Sequence, residues 1–265
     1  MMFSIACRHL TKRFASSGRP AADKGSSVAT EPANDLSFDF AAGKITAIVG
    51  QSGCGKTTLL RMIAGLEVPD AGEIVFCDET GAKRRPVIST VFQEPRLFPW
   101  LNVRDNIALA VRSKPEAERN ALIDETLETV GLTQAAFKMP HELSGGMAQR
   151  VGMARALCRH PDILLLDEAF SALDALTREK LRGEFIDIAA RRPMTTILVT
   201  HDVLEAVLLS STICKLEAGA VAQTWTIEAP YPRRLGQPGL ARLADGILAS
   251  FFEEKTNTCL HNRTN

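Results

Sequence analysis

The chain has 265 residues, with 31 Lys+Arg balanced by 31 Asp+Glu, 45% apolar residues and 23% charged ones. Such a composition is ordinary for a soluble globular protein; zero net charge gives no argument for nucleic acid, and no apolar run approaches the ~20 residues that span a membrane. The N-terminus lacks a basic region ahead of a long apolar core, so no signal peptide is expected, and the six cysteines (7, 54, 77, 158, 214, 259) make no C-x-x-C pair, which favours free thiols in a reducing cytosol over a zinc site.

Residues 3–10 suit an edge strand. Residues 15–33, rich in Ala, Ser, Gly and Pro, read as a mobile loop. Leu36 to Phe40 alternate as a half-buried strand does, and Ile45 to Val49 form a β-branched run suited to a buried one. A helix is expected over 56–64, and strands over 72–76 and 87–92. Helices are expected over 103–111, 116–130 and 144–158, with Pro140 near a boundary. Strand character returns at 163–166 and 196–199, around a helix over 176–190. The fold class expected is therefore α/β. The glycine-rich stretch Gly50 to Gly55, set between a strand and a helix, makes this a P-loop nucleotide-binding core, expected over 1–225, with a helical lobe inserted at about 94–160, a small antiparallel β part and a C-terminal tail at 226–265.

Two segments carry most of the chemistry. Gly50-Gln51-Ser52-Gly53-Cys54-Gly55-Lys56-Thr57 fits G-x-x-x-x-G-K-[ST], between a strand and a helix as that motif requires, with Thr58 following. Its glycines let successive backbone N–H groups turn toward phosphate oxygens, and the helix dipole adds to them. Lys56 supplies a charge to the β- and γ-phosphates, and Thr57 a hydroxyl for Mg²⁺. Further on, Ile163 to Leu166 form an apolar strand ending in Asp167-Glu168. Ligands sit at the carboxyl ends of such strands. Asp167 is expected to hold Mg²⁺ through water, and Glu168 to polarise the attacking water as general base.

The second segment, Leu143-Ser144-Gly145-Gly146-Met147-Ala148-Gln149, places a serine N-cap and two glycines before a helix, an anion site of its own. If the helical lobe points away from the core, Ser144 and Lys56 cannot serve one phosphate. Two anion sites on one chain then suggest a head-to-tail dimer with ATP in the seam.

With LSGG in place, the chain resembles the ATP-binding subunits of ABC transporters over nearly its whole length. Six motifs stand in the family's order: the phosphate loop, Gln93 in Val91-Phe92-Gln93-Glu94, LSGG, Asp167-Glu168, Ser171-Ala172-Leu173-Asp174, and His201 after Ile197-Leu198-Val199-Thr200. The resemblance implies that Gln93 contacts Mg²⁺ and the attacking water and links the lobes. It implies that Ser144 and Gly146, with Gly145 between them, bind the γ-phosphate held by the other protomer. Asp174 would lie at the dimer interface, and His201 would contact the γ-phosphate. Phe14 falls where the family sets an aromatic on adenine, with plain core as the alternative reading. The sequence departs from the usual pattern at Ala148, at Ala169 (commonly proline) and in the length of the 15–33 stretch.

The run Gln93 to Ile107 and the later Tyr231-Pro232-Arg233-Arg234 look like nitrate/sulfonate/taurine-type importers. Thiamine-precursor importers look similar, which leaves the cargo open. The resemblance implies an ATPase using ATP and Mg²⁺. It would pair with a second copy at the cytoplasmic face of the inner membrane and dock on transmembrane permease subunits, served indirectly by a substrate-binding protein. Leu97, Phe98 and Trp100 suit that docking, or are buried within the chain. The alternative is a non-transport ABC ATPase of repair or translation. Those usually carry two fused units, coiled coils or a basic surface, which this chain lacks. The LSGG segment argues against a P-loop kinase.

Overall fold

The computed structural model describes residues 2–14, 32–234 and 236–252. The 15–31 part of the expected mobile loop lies outside the described residues. A six-stranded sheet runs in the order β5 (Ile88–Val91), β6 (Ile163–Asp167), β7 (Thr195–Val199), β3 (Ile45–Val49), β8 (Thr212–Glu217), β9 (Ala220–Thr226). The first five are parallel to their neighbours and β9 is antiparallel to β8. All residues of β3 and β7 are buried, as parallel strands covered on both faces require.

A second, three-stranded antiparallel sheet has the order β2 (Ala33–Phe40), β1 (Phe3–Lys12), β4 (Ala71–Asp78). The expectation of an edge strand at 3–10 is thereby corrected. β1 is central, because Ile5 pairs Phe40 on one side and Phe76 on the other. Its inward residues Phe3, Ile5 and Cys7 are buried between the two sheets, in one cluster with Ile48, Leu59 and Val199. β2 also begins earlier than the alternation in 36–40 indicated, at Ala33.

Helix α1 (Lys56–Ile63) follows β3 directly. The inserted lobe consists of α2 (Val103–Ala108) with a 3₁₀ turn over Leu109–Val111, α3 (Glu116–Thr129) and α4 (Gly145–Leu157). Val103, Ile107, Ile123, Leu127 and Val151 join these helices to the second core cluster. Then come α5 (Ala175–Arg191), α6 (Val203–Leu209) and α7 (Pro238–Ser250). α7 buries Leu240, Ala244 and Ile247 in that cluster, so residues 238–250 pack on the core. Arg233 and Tyr231 help to hold this end: the Arg233 guanidinium donates to the carbonyls of Val207, Ile227 and Ala229, and the Tyr231 hydroxyl to that of Leu209 at 2.6 Å. Both cap the C-terminal end of α6 (Val203–Leu209). Among the described residues, no helix is long and apolar enough to cross a membrane.

Candidate active site

Four adjacent strands deliver the expected residues to one end of the sheet. β5 ends at Val91, two residues before Gln93; β6 ends at Asp167, before Glu168; β7 ends at Val199, before Thr200-His201; β3 ends at Val49, before the phosphate loop. Their ends are in register, with Val91 opposite Leu166, Asp167 opposite Val199, and Ile48 opposite Val199. Residues scattered from 50 to 201 therefore share the crevice beyond the carboxyl ends of a parallel sheet.

The loop curls as its composition demands. Gly55 has φ +106°, and a Cβ there would meet the carbonyl oxygen of Pro32. No side chain other than hydrogen fits. Lys56 is buried, and its ammonium donates to the carbonyls of Gly50 at 2.8 Å and Gln51 at 3.0 Å. The lysine is thus held over the loop by backbone rather than by a carboxylate, and its charge is left for an anion. Gln51, Ser52, Gly53 and Thr57 are exposed, while Cys54 and Thr58 are half-buried.

The Thr57 hydroxyl lies 3.5 Å from Asp167 Oδ1, at the outer limit of a hydrogen bond. Burial and the adjacent Glu168 carboxylate push the Asp167 carboxyl above its ordinary range. A cation bound there would relieve both effects. A hydroxyl and a carboxylate are hard oxygen donors, and Mg²⁺ takes few protein ligands beside substrate phosphates and water. The donor set fits Mg²⁺; Gln93 is exposed two residues past the end of β5, the strand next to β6.

Glu168 has φ +49°, a left-handed backbone that non-glycine residues adopt at a cost. Its amide donates to the Val199 carbonyl at 2.9 Å, and its own carbonyl accepts from the Ser171 amide (3.1 Å) and hydroxyl (2.8 Å). The turn throws its carboxylate off the line of β6 toward His201, whose Nδ1 stands 3.3 Å from Glu168 Oε2. The imidazole itself is largely exposed.

The remaining residues occupy other surfaces. Ser144 caps α4, its Oγ accepting from the Met147 amide at 3.3 Å. Gly145 and Gly146 form the first turn of that helix, and a Cβ on Gly146 would strike the Thr177 methyl of α5. Among the described residues, no hydrogen bond or ion pair joins Ser144, Gly145 or Gly146 to the phosphate loop. Asp174 caps α5, accepting from the Thr177 amide at 3.0 Å, which holds its carboxyl below the usual range. Phe14 lies just past the end of β1 with 39% of its surface exposed, and the Lys12 ammonium sits 5.6 Å from its ring. It is not a core residue. Phe98 and Trp100 stack edge-to-face at 5.5 Å and are exposed, Trp100 by 69%. Leu97, by contrast, packs on the core.

Several residues near the site went unnoticed in the sequence. Gln149 is buried and donates to the Phe92 carbonyl at 3.1 Å, tying the LSGG helix to the strand end that carries Gln93. Asn106, fully buried, bonds the backbone of Phe98, Leu101 and Asn102, and Arg155 donates to the carbonyls of Pro95 and Arg96. These three fix the segment after Gln93 beside a cavity of about 480 Å³ lined by Phe92, Pro95, Phe98, Leu109 and Arg155. Their only sequence signal was polar character inside apolar helical patterns.

A family profile described as "ABC transporter" matches residues 33–171. The aliphatic sulfonates import ATP-binding protein SsuB of Cupriavidus necator is 44% identical over 221 residues, covering 82% of this chain and 72% of that protein. The chain belongs to the ABC transporter family. The nitrate import ATP-binding protein NrtC of Synechococcus elongatus is 46% identical over 204 residues, 75% of this chain but 31% of that longer protein. Among solved structures, a dimeric ATP-binding cassette in a post-hydrolysis state with ADP and Pi matches with TM-score 0.70 and 27% identity, over 85% of this chain and all of that one. The α/β core and helical lobe described above are thus those of an ABC ATPase, and this family member binds and hydrolyses ATP.

Proposed function

We propose that this ABC ATPase energises a membrane importer for a small anion or organic nutrient, of the class that includes sulfonates and nitrate, by closing and reopening a head-to-tail pair of copies around ATP. The observation that carries the reading is the convergence of Gln93, Asp167-Glu168, His201 and the phosphate loop at four adjacent strand ends, while the LSGG helix end stands apart on the inserted lobe.

In this reading the phosphate-loop amides and Lys56 hold the β- and γ-phosphates, and Phe14 covers adenine. Thr57 and Asp167, with Gln93, hold Mg²⁺, which when bound neutralises charge developing on the phosphate oxygens. Glu168 accepts a proton from the lytic water. His201 orients Glu168 and reaches the γ-phosphate. Ser144, Gly145 and Gly146 offer helix N-terminal amides to the γ-phosphate held by the other copy, with Asp174 at the seam. The exposed Phe98–Trp100 pair and the adjoining cavity form the seat for a permease subunit at the cytoplasmic face of the membrane, itself served by a substrate-binding protein. SsuB and NrtC, by their names, serve sulfonate and nitrate import, which supports that cargo class.

The test is purification of the tagged chain from native membranes in mild detergent, with mass spectrometry of what accompanies it. A permease and a binding protein of the anion- or sulfonate-import type are expected. Recovery with DNA-repair or ribosomal factors instead would favour the non-transport alternative.

A further inference from the structure

One arginine joins the parts of the site that must act together. Arg178 stands on the first turn of α5, one helical turn after Asp174, the cap of that helix. Its Nη2 donates to the carbonyls of Ser171 (3.2 Å) and Leu173 (2.7 Å), so it grips the Ser171–Asp174 segment from inside. Its Nη1 lies 3.8 Å from Asp202 Oδ2. Asp202 follows His201 directly; its Oδ1 accepts from the amides of Leu204 (2.9 Å) and Glu205 (3.2 Å), and its amide donates to the Thr200 hydroxyl (3.0 Å). His201 in turn lies against Glu168, whose carbonyl is held by Ser171. The contacts close into a ring: Glu168, Ser171, Arg178, Asp202, His201 and Glu168 again.

Two features argue that this ring is more than packing. Arg178 Nε is buried with no hydrogen-bond partner among the described residues, a defect of a kind native structures tolerate at functional sites. Glu205, one helical turn after His201, is only 2% exposed and faces Thr200, Asp202, Arg178 and Arg182. Glu205 thus adds a buried acid to the polar cluster at the N-terminal end of α6.

We infer that Arg178 is a positioning residue for ATP hydrolysis: through Asp202 and the Ser171–Asp174 segment it sets Glu168 and His201 against the lytic water. The assignment rests on the roles proposed above for Glu168 and His201. Arg178 itself touches no substrate.

The test compares Arg178→Ala, Arg178→Lys and Asp202→Asn with the parent in steady-state ATPase kinetics, nucleotide binding and thermal melting. Asn still caps a helix, so Asp202→Asn removes the charge and keeps the fold of α6. Arg178→Ala should lower kcat by about 10- to 100-fold, the scale of a small misalignment of reacting groups, with KM for ATP within about twofold of the parent. Arg178→Lys and Asp202→Asn should fall between. A kcat for Arg178→Ala within about threefold of the parent, or a loss matched by equal weakening of ATP binding, overturns the inference. Should Arg178→Ala fail to melt cooperatively, the other two variants decide by the same criteria. Glu168→Gln is measured alongside: if it keeps turnover, the reading of the site has failed; if it is dead while Arg178→Ala is normal, only the role of Arg178 falls.

Discussion

The two candidate anion-binding ends of this molecule are built differently. At the sheet end the reactive groups lean on one another: Lys56 is held by the loop carbonyls, Thr57 lies against Asp167, and Glu168 against His201. At the signature end, among the described residues, the Ser144 hydroxyl bonds its own helix, and Gly145 and Gly146 lead the N-terminus of α4. In the proposed function the first is a reaction site lacking one wall, and the second supplies that wall to another copy. Apart from the Met147 amide, which donates to Ser144 Oγ, the first N–H groups of this helix have no intrahelical partner and can serve an anion carried by another molecule. The contrast is thus the physical argument for a second copy.

The largest effect expected is at the sheet end. Glu168→Gln should keep ATP binding, lose about 10²-fold or more in turnover, and accumulate as an ATP-bound dimer on size-exclusion chromatography. Near-normal hydrolysis would remove Glu168 from the chemistry. Lys56→Ala should instead weaken ATP binding itself, measured by nucleotide titration.

An effect on ATP binding rather than turnover is expected from Phe14, which belongs to neither end. One aromatic face on a base is worth about 1–3 kcal/mol. Phe14→Ala should therefore raise KM for ATP by about 5- to 150-fold and leave kcat at saturation nearly unchanged. An unchanged KM would mean that another residue covers adenine.

The smallest effect sharpens the account of the cation site. The Asp167 carboxyl is raised above its ordinary range by burial and by Glu168. The native state then binds that proton more tightly than the unfolded chain. Ionising Asp167 costs stability as pH climbs from the ordinary carboxylate value through the raised one, and the cost is full above it. Asp167→Asn should accordingly raise the melting temperature of the nucleotide-free protein at neutral pH. The gain should fade as pH drops toward the ordinary carboxylate range. A lower melting temperature at neutral pH would contradict the desolvation argument.

Much of the sheet end was legible in the sequence because each motif is anchored to a strand end. An apolar run such as Ile163 to Leu166 both predicts the buried strand and locates the acids that follow it. Long-range pairing was not legible: nothing in residues 3–10 announces that β4, some sixty residues on, covers the outer side of β1. β8 was hidden by Lys215 in its middle, a buried lysine that donates to the Ser250 carbonyl at 2.9 Å. α6 is seven residues long and apolar on most sides apart from the buried Glu205, so it shows no helical period. Pro238-Gly239 and Gly246 disguised α7, whose amphipathic face is plain once Leu240, Ala244 and Ile247 are seen together in the core. The role of Arg178 depends on which carbonyls its fork reaches, which sequence spacing does not encode.

The claim that the signature end serves another copy's ATP can be tested by complementation. One tagged chain carries Lys56→Ala and a differently tagged one Ser144→Arg; each homodimer has two damaged sites. If the signature acts in trans, the co-expressed, doubly purified heterodimer has one site with both defects and one with neither, and it should regain a clear part of the parent ATPase activity. The paired control, one parent chain with one chain carrying both substitutions, should then be nearly dead, since each of its sites has one defect. A dead heterodimer beside an active control would show that Ser144 works with the ATP of its own chain.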